Sequence, residues 1–104
     1  MKKSRLPDSV REYFARMGYR CLNEQYPNFD GIIIYLGSDG GPQEIACYFA
    51  KPSRFYVVSS DELRRALEFL EESGLPLHYA VTNSRFSYGA DKLASAEGVI
   101  PLAL

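Results

Sequence analysis

The stretch Glu44-Ile45-Ala46-Cys47-Tyr48-Phe49-Ala50-Lys51-Pro52 decides the fold. Residues 44–51 are rich in apolar, β-branched and aromatic side chains and contain no glycine. They predict a central, largely buried strand that ends on a lysine. Side chains alternate along a strand, so Phe49 and Lys51 point to the same face. Upstream, Phe29–Leu36 predicts a second strand, apolar nearly throughout after Asp30-Gly31 and therefore buried on both faces. Gly37-Ser38-Asp39-Gly40-Gly41-Pro42 between them has the composition of a hairpin loop. The strand at 44–51 then returns antiparallel, which brings Asp30 beside the end that carries Lys51.

Further outward, Pro7-Asp8-Ser9 opens a helix, with Val10, Tyr13, Phe14 and Met17 as one apolar stripe and Gly18 at its end. Residues 1–5 read as a flexible basic tail. Residues 19–23 predict a first short strand, and Pro27-Asn28 a turn. Downstream, 55–58 is a short extended stretch. Ser59 and Glu62 form a capping box for a second helix whose buried stripe is Leu63, Ala66, Leu67 and Leu70, with Gly74 as its stop. Phe69 falls off that stripe. Residues 77–81 predict a fourth strand. Ser87 caps a third helix with Ala90, Leu93 and Ala94 inward and Gly98 at its end. The last strand, 99–104, holds Pro101, which marks an edge. The order is αβββαβαβ in one α/β domain of 104 residues. Strands joined through helices make the second half of the sheet parallel, so the central sheet is mixed and flanked by helices.

Composition is ordinary for a globular chain, 46% hydrophobic and 24% charged, and a core of this size gains from a dimer. The net charge of −1 is uneven. Residues 1–20 hold six basic groups against two acidic ones, and the remainder holds six against eleven. The amino-terminal excess suits an anionic partner or a solvated helix face. Cys21 and Cys47 have no metal-type spacing and are expected as reduced, small core residues on neighbouring strands. Lys2 and Lys3 precede no apolar signal segment, and the longest apolar run, 32–36, is too short to span a bilayer, so the expected setting is the cytoplasm, away from membranes. His78, the one histidine, has no plausible catalytic partner and is expected to be structural. The glycine loop 37–41 precedes no helix and is no phosphate cradle.

This order and these residues resemble the restriction-endonuclease-like superfamily, the PD-(D/E)XK nucleases. Residues 44–82 look like the middle of archaeal Holliday-junction resolvases. Val81-Thr82-Asn83-Ser84-Arg85-Phe86-Ser87-Tyr88-Gly89-Ala90 to Val99-Ile100 looks like the end of the Mrr-type restriction domain. The resemblance implies an acid at the opening of the second strand and an acid-x-lysine triplet closing the third. Two carboxylates would hold a Mg²⁺ that activates water and polarises the phosphate. Asp30 matches the acidic position, in a Phe-Asp-Gly-Ile setting, and Lys51 matches the lysine. Glu12 stands loosely for a helix glutamate. Phe49 occupies the place of the second carboxylate, and Glu44 points to the opposite face.

The resemblance therefore implies a nuclease-fold DNA-binding protein that has lost catalysis, working as a homodimer without a cofactor. Phosphate contacts are expected from Lys2, Lys3, Arg5, Arg54, Ser84 and Arg85. The alternatives are an active Mg²⁺-dependent endonuclease or junction resolvase using Asp30, Lys51 and Glu12, with Asp30 as metal ligand, and a dimeric protein-interaction subunit.

Overall fold

The computed structural model describes residues 4–104. The elements follow the expected order: α1 (Asp8–Arg16), β1 (Arg20–Gln25), β2 (Ile32–Gly37), β3 (Glu44–Phe49), β4 (Val57–Val58), α2 (Ser60–Glu71), β5 (Tyr79–Thr82), β6 (Arg85–Phe86), α3 (Tyr88–Ala96) and β7 (Ile100–Ala103). Five strands form a mixed sheet in the order β1-β2-β3-β5-β7. The first three are antiparallel, and β5 and β7 run parallel to β3. The β2–β3 hairpin, the parallel second half and the mixed sheet match the sequence reading; the order of strands across the sheet was not contained in it, nor were β4 and β6, two-residue strands that pair with each other in parallel outside the main sheet.

The topology sorts the helices. Two successive parallel crossovers step the same way across the sheet, β3 to β5 and β5 to β7, and α2 and α3 lie on one face. Ile33, Ile45, Cys47, Phe49 and Ala80 pack there with Leu63, Ala66, Leu70 and Ala94. On the other face Leu6, Val10 and Phe14 pack on Ile32, Ile34, Leu36, Ala46, Tyr48 and Val81. β3 is thus buried on both sides, as its apolar run requires. The radius of gyration, 12.9 Å, is that of a compact unit of this length. No helix among the described residues is long and apolar enough to cross a membrane.

The local signals act as expected. Ser59 accepts from the Glu62 N–H, and Glu62 reaches back to the Ser59 N–H. Ser87 accepts from Ala90 N–H. Gly18, Gly74 and Gly98 adopt positive φ just past the three helices. Phe69 turns to the sheet side and meets Phe29 edge-on, with centroids 5.9 Å apart. His78 is structural: its N–H and Nδ1 both bond Ile45, donating to the carbonyl and accepting from the N–H.

Three expectations are corrected. β2 starts at Ile32, because the chain folds into a tight turn, Gly31 N–H donating to the Phe29 carbonyl at 2.9 Å. Cys21 lies half-buried on β1 and Cys47 buried on β3, with β2 between them. Ser4 and Arg5, expected within a flexible tail, are held: the Ser4 hydroxyl donates to Glu24 at 2.7 Å, and the Arg5 N–H donates to the Tyr26 hydroxyl. Met1–Lys3 lie outside the described residues.

Both sheet edges are irregular. A bulge at Leu22 shifts the β1–β2 register. On β7 the N–H groups of Ile100 and Leu104 donate inward, to His78 and Thr82, so by alternation the Pro101 nitrogen faces the open edge.

The clip at Glu24 yields a pH prediction. Burial pushes this carboxyl up, but hydrogen bonds from Tyr26, Ser4 and Arg11 outweigh it and hold the group below its ordinary 4.5. A carboxyl lowered in the folded state stabilises above its unfolded pKa and loses that stabilisation as pH falls through the folded value. Glu24→Gln should cost about 1–2 kcal/mol near pH 7. In urea melts at decreasing pH the gap to wild type should close below pH 4.5.

Candidate functional site

Strand direction gathers most of the expected site residues at one end of the sheet. The carboxyl ends of β1, β3, β5 and β7 and the amino end of β2 lie together there. Arg5, Asp30, Lys51, Arg54, Ser84 and Arg85 sit on the segments that enter or leave this end. In open α/β sheets, this is where ligands bind. Glu12 is exposed in the second turn of α1. Lys2 and Lys3 lie outside the described residues.

Asp30 is the middle residue of the Phe29–Gly31 turn and is exposed. It lines a depression of about 180 Å³ with Arg5, Phe29, Gly31, Ile32, Tyr48 and Ala50. Gly31 permits the turn: a Cβ there would lie 2.7 Å from the Phe29 ring and 3.1 Å from Cys47 Sγ, toward α2. Asp30 shares its depression with Ile32 and with Ile32's cross-strand partner Tyr48, both on the α1 face.

Lys51 goes the other way. Phe49 and Lys51 do share a side, but it is the side opposite Asp30. Phe49 is completely buried in the α2–α3 layer. The Lys51 ammonium donates to both Glu62 oxygens, at 2.6 and 2.8 Å, and closes the capping box of α2. The hairpin does bring Asp30 to the end of β3, as expected, but the residues facing it there are Tyr48 and Ala50 rather than Phe49 and Lys51. The correction follows from strand parity: one residue along a strand is one face of the sheet.

The loops at this end are stitched by three consecutive polar residues. The Thr82 hydroxyl, fully buried, donates to the Phe49 carbonyl at 2.8 Å. The Asn83 amide clamps both backbone groups of Lys51, accepting from its N–H and donating to its carbonyl, each at 2.8 Å. The Ser84 hydroxyl donates to the Tyr56 carbonyl. Ser84 is buried and its hydroxyl is spent on the backbone, so it presents little to a phosphate. The signal in sequence is the run Thr-Asn-Ser directly after an apolar strand. Its partners lie about 30 residues upstream.

No protein-family model matches the sequence, and no curated protein matches it. Among solved structures, EndoMS in its apo form is similar at 16% identity, with a TM-score of 0.58. The match covers 99% of this chain and 48% of that one, so the chain spans about half the length of that protein. At this identity the likeness concerns the fold, and with the mixed sheet and its two helical layers it supports a nuclease-like fold.

The residues do not fit the Mg²⁺ that the superfamily resemblance implies. Around Asp30 the side chains are Arg5, Phe29, Ile32, Tyr48 and Ala50, none of which supplies a second carboxylate. Among the described residues no three His, Cys, Asp or Glu groups come together as a metal site. A hard cation needs several oxygen ligands.

Parity separates two substitutions that look alike in sequence. Phe49→Glu should bury a charge in the core and destabilise the fold by more than about 4 kcal/mol. Ala50→Glu, at the exposed next position, should place a carboxylate beside Asp30. Mn²⁺ should then raise the melting temperature of Ala50→Glu and leave the wild-type value unchanged.

Proposed function

We propose that this chain is a nuclease-fold protein that binds DNA without cutting it, through the end of the sheet where β1, β3, β5 and β7 finish. One observation carries the reading. On a nuclease-like frame, this end keeps exposed cations, Arg5, Arg54 and Arg85, while the positions facing Asp30 hold Tyr48 and Ala50. The cations suit a phosphate backbone. The missing carboxylate and the engagement of Lys51 by Glu62 leave Asp30 without the partners that metal-assisted cleavage requires.

On this reading Mg²⁺ is not needed, and recognition rests on backbone and shape. Arg5 is held in place for such a role: its guanidinium lies 4.5 Å from the Tyr26 ring centroid, and its N–H is bonded to the same residue. Lys51 acts here through the fold, by fixing the start of α2, and Ser84 by fixing the loop before β4.

Fluorescence anisotropy with duplex, single-stranded and branched DNA tests the reading. Binding should be present at low salt and fall steeply as salt rises. Arg54→Ala combined with Arg85→Ala should reduce the slope of log K against log salt by about two. Incubation of the same substrates with Mg²⁺ or Mn²⁺ should leave them intact. Absence of binding to all three, or cleavage that Asp30→Ala abolishes, contradicts the proposal.

A further inference from the structure

We propose that the strip formed by Arg54-Phe55-Tyr56, the β4–β6 pair and the first turns of α3 is a stacking platform for unpaired bases of a single-stranded DNA segment. The inference rests on the DNA-binding reading and names the form of DNA that this part of the site takes.

Exposure is the starting observation. Phe55 is 89% exposed, Tyr88 76% and Tyr56 55%, in a chain that buries Phe14 and Phe49 completely. Backbone pairing brings these rings to one region. Val57 pairs with Arg85 and Val58 with Phe86, while the Ser87 N–H donates to the Val58 carbonyl at 2.9 Å. Val58 points into the core and Val57 outward. Tyr56 immediately precedes this pair, and Tyr88 follows Ser87.

The base of the platform is rigid. Ser84 holds the Tyr56 carbonyl, Asn83 holds both backbone groups of Lys51, and Phe55 N–H donates to the Ser53 hydroxyl. Rings exposed on a fixed backbone lose little freedom when they are covered.

Charge selects the occupant. Arg54, Arg85 and Lys92 are exposed, and among the described residues none of them enters an ion pair. Lys92 Nζ lies 4.9 Å from the Tyr88 ring centroid, so cation and ring form one unit. Asp61 and Asp91 lie in the first turns of α2 and α3, where the positive helix ends offset them. Unpaired cations among aromatic rings complement a polyanion with flat apolar faces. A fully paired duplex keeps those faces stacked inside, whereas a single strand offers them. An apolar protein surface would cover the rings but strip water from the cations.

Anisotropy with the full chain tests this, using labelled oligo-dT and a fully paired hairpin of the same length. Phe55→Ala combined with Tyr88→Ala should weaken oligo-dT about tenfold or more, and leave the hairpin within about twofold. The chain contains no Trp, so F55W introduces a single indole. Its fluorescence should be quenched by oligo-dT and unchanged by the hairpin. Equal loss on both DNAs, no loss on either, or an indole that oligo-dT does not quench overturns the platform. If the hairpin binds and oligo-dT does not, the platform falls and the DNA-binding reading stands. If neither binds, both fall. Self-association that F55A abolishes, with oligo-dT binding unchanged, would assign the strip to a protein contact and overturn the proposal.

Discussion

The Phe49 ring, buried without residue between β3 and the α2–α3 layer, sets the parity of the central strand. Once it faces α2, Tyr48 must face α1, and every alternate residue of β3 follows. β2 obeys the same parity through its register with β3, Ile32 against Tyr48 and Ile33 against Cys47. The two cores are therefore coupled through one strand. The assignment of Tyr48 to the α1 face and of Lys51 to the α2 side descends from it. A slip of one residue would turn a phenylalanine to the α1 side and a tyrosine hydroxyl into the drier layer, where no partner waits for it.

Each face has its own means of holding this arrangement. The α1 face uses aromatic edges: Phe14 meets Tyr79 at 5.5 Å and Tyr19 at 6.2 Å, and the Tyr19 and Tyr79 hydroxyls lie 3.2 Å apart. That hydroxyl contact, with burial and the nearby Glu44 charge, pushes the Tyr79 pKa well up, so its hydroxyl stays neutral. The α2–α3 face packs aliphatic side chains around Phe49, with Phe29 and Phe69 at its margin, and its polar work is done at the rim by Thr82, Asn83, Ser84, Glu62 and Lys51. These residues replace strand ladder where β3 and β5 diverge. Among the described residues no buried side-chain nitrogen or oxygen lacks a partner.

Most of the fold was legible because its signals are local. Capping serines, glycines past helix ends, the hairpin loop and the proline of the last strand each act within a few residues. The site was legible in position and not in orientation. Hairpin logic places Asp30 at the end of β3. Its face depends on where β2 begins, and that depends on the Phe29–Gly31 turn packing against Cys47 and Phe69. The fate of Lys51 depends on Asn83, 32 residues away, and on a glutamate whose capping role was visible but whose second partner was not. Family-style spacing counts residues along the chain, and here the count arrives one face off.

The two edges of the sheet have a consequence for assembly. A second sheet can add to an edge only where consecutive donors and acceptors present themselves in step. The Leu22 bulge breaks that cadence on β1, and Pro101 removes an outward donor from the short β7. Copies of this chain are therefore discouraged from growing into a continuous sheet, and with it from the fibrous route that an uninterrupted edge invites.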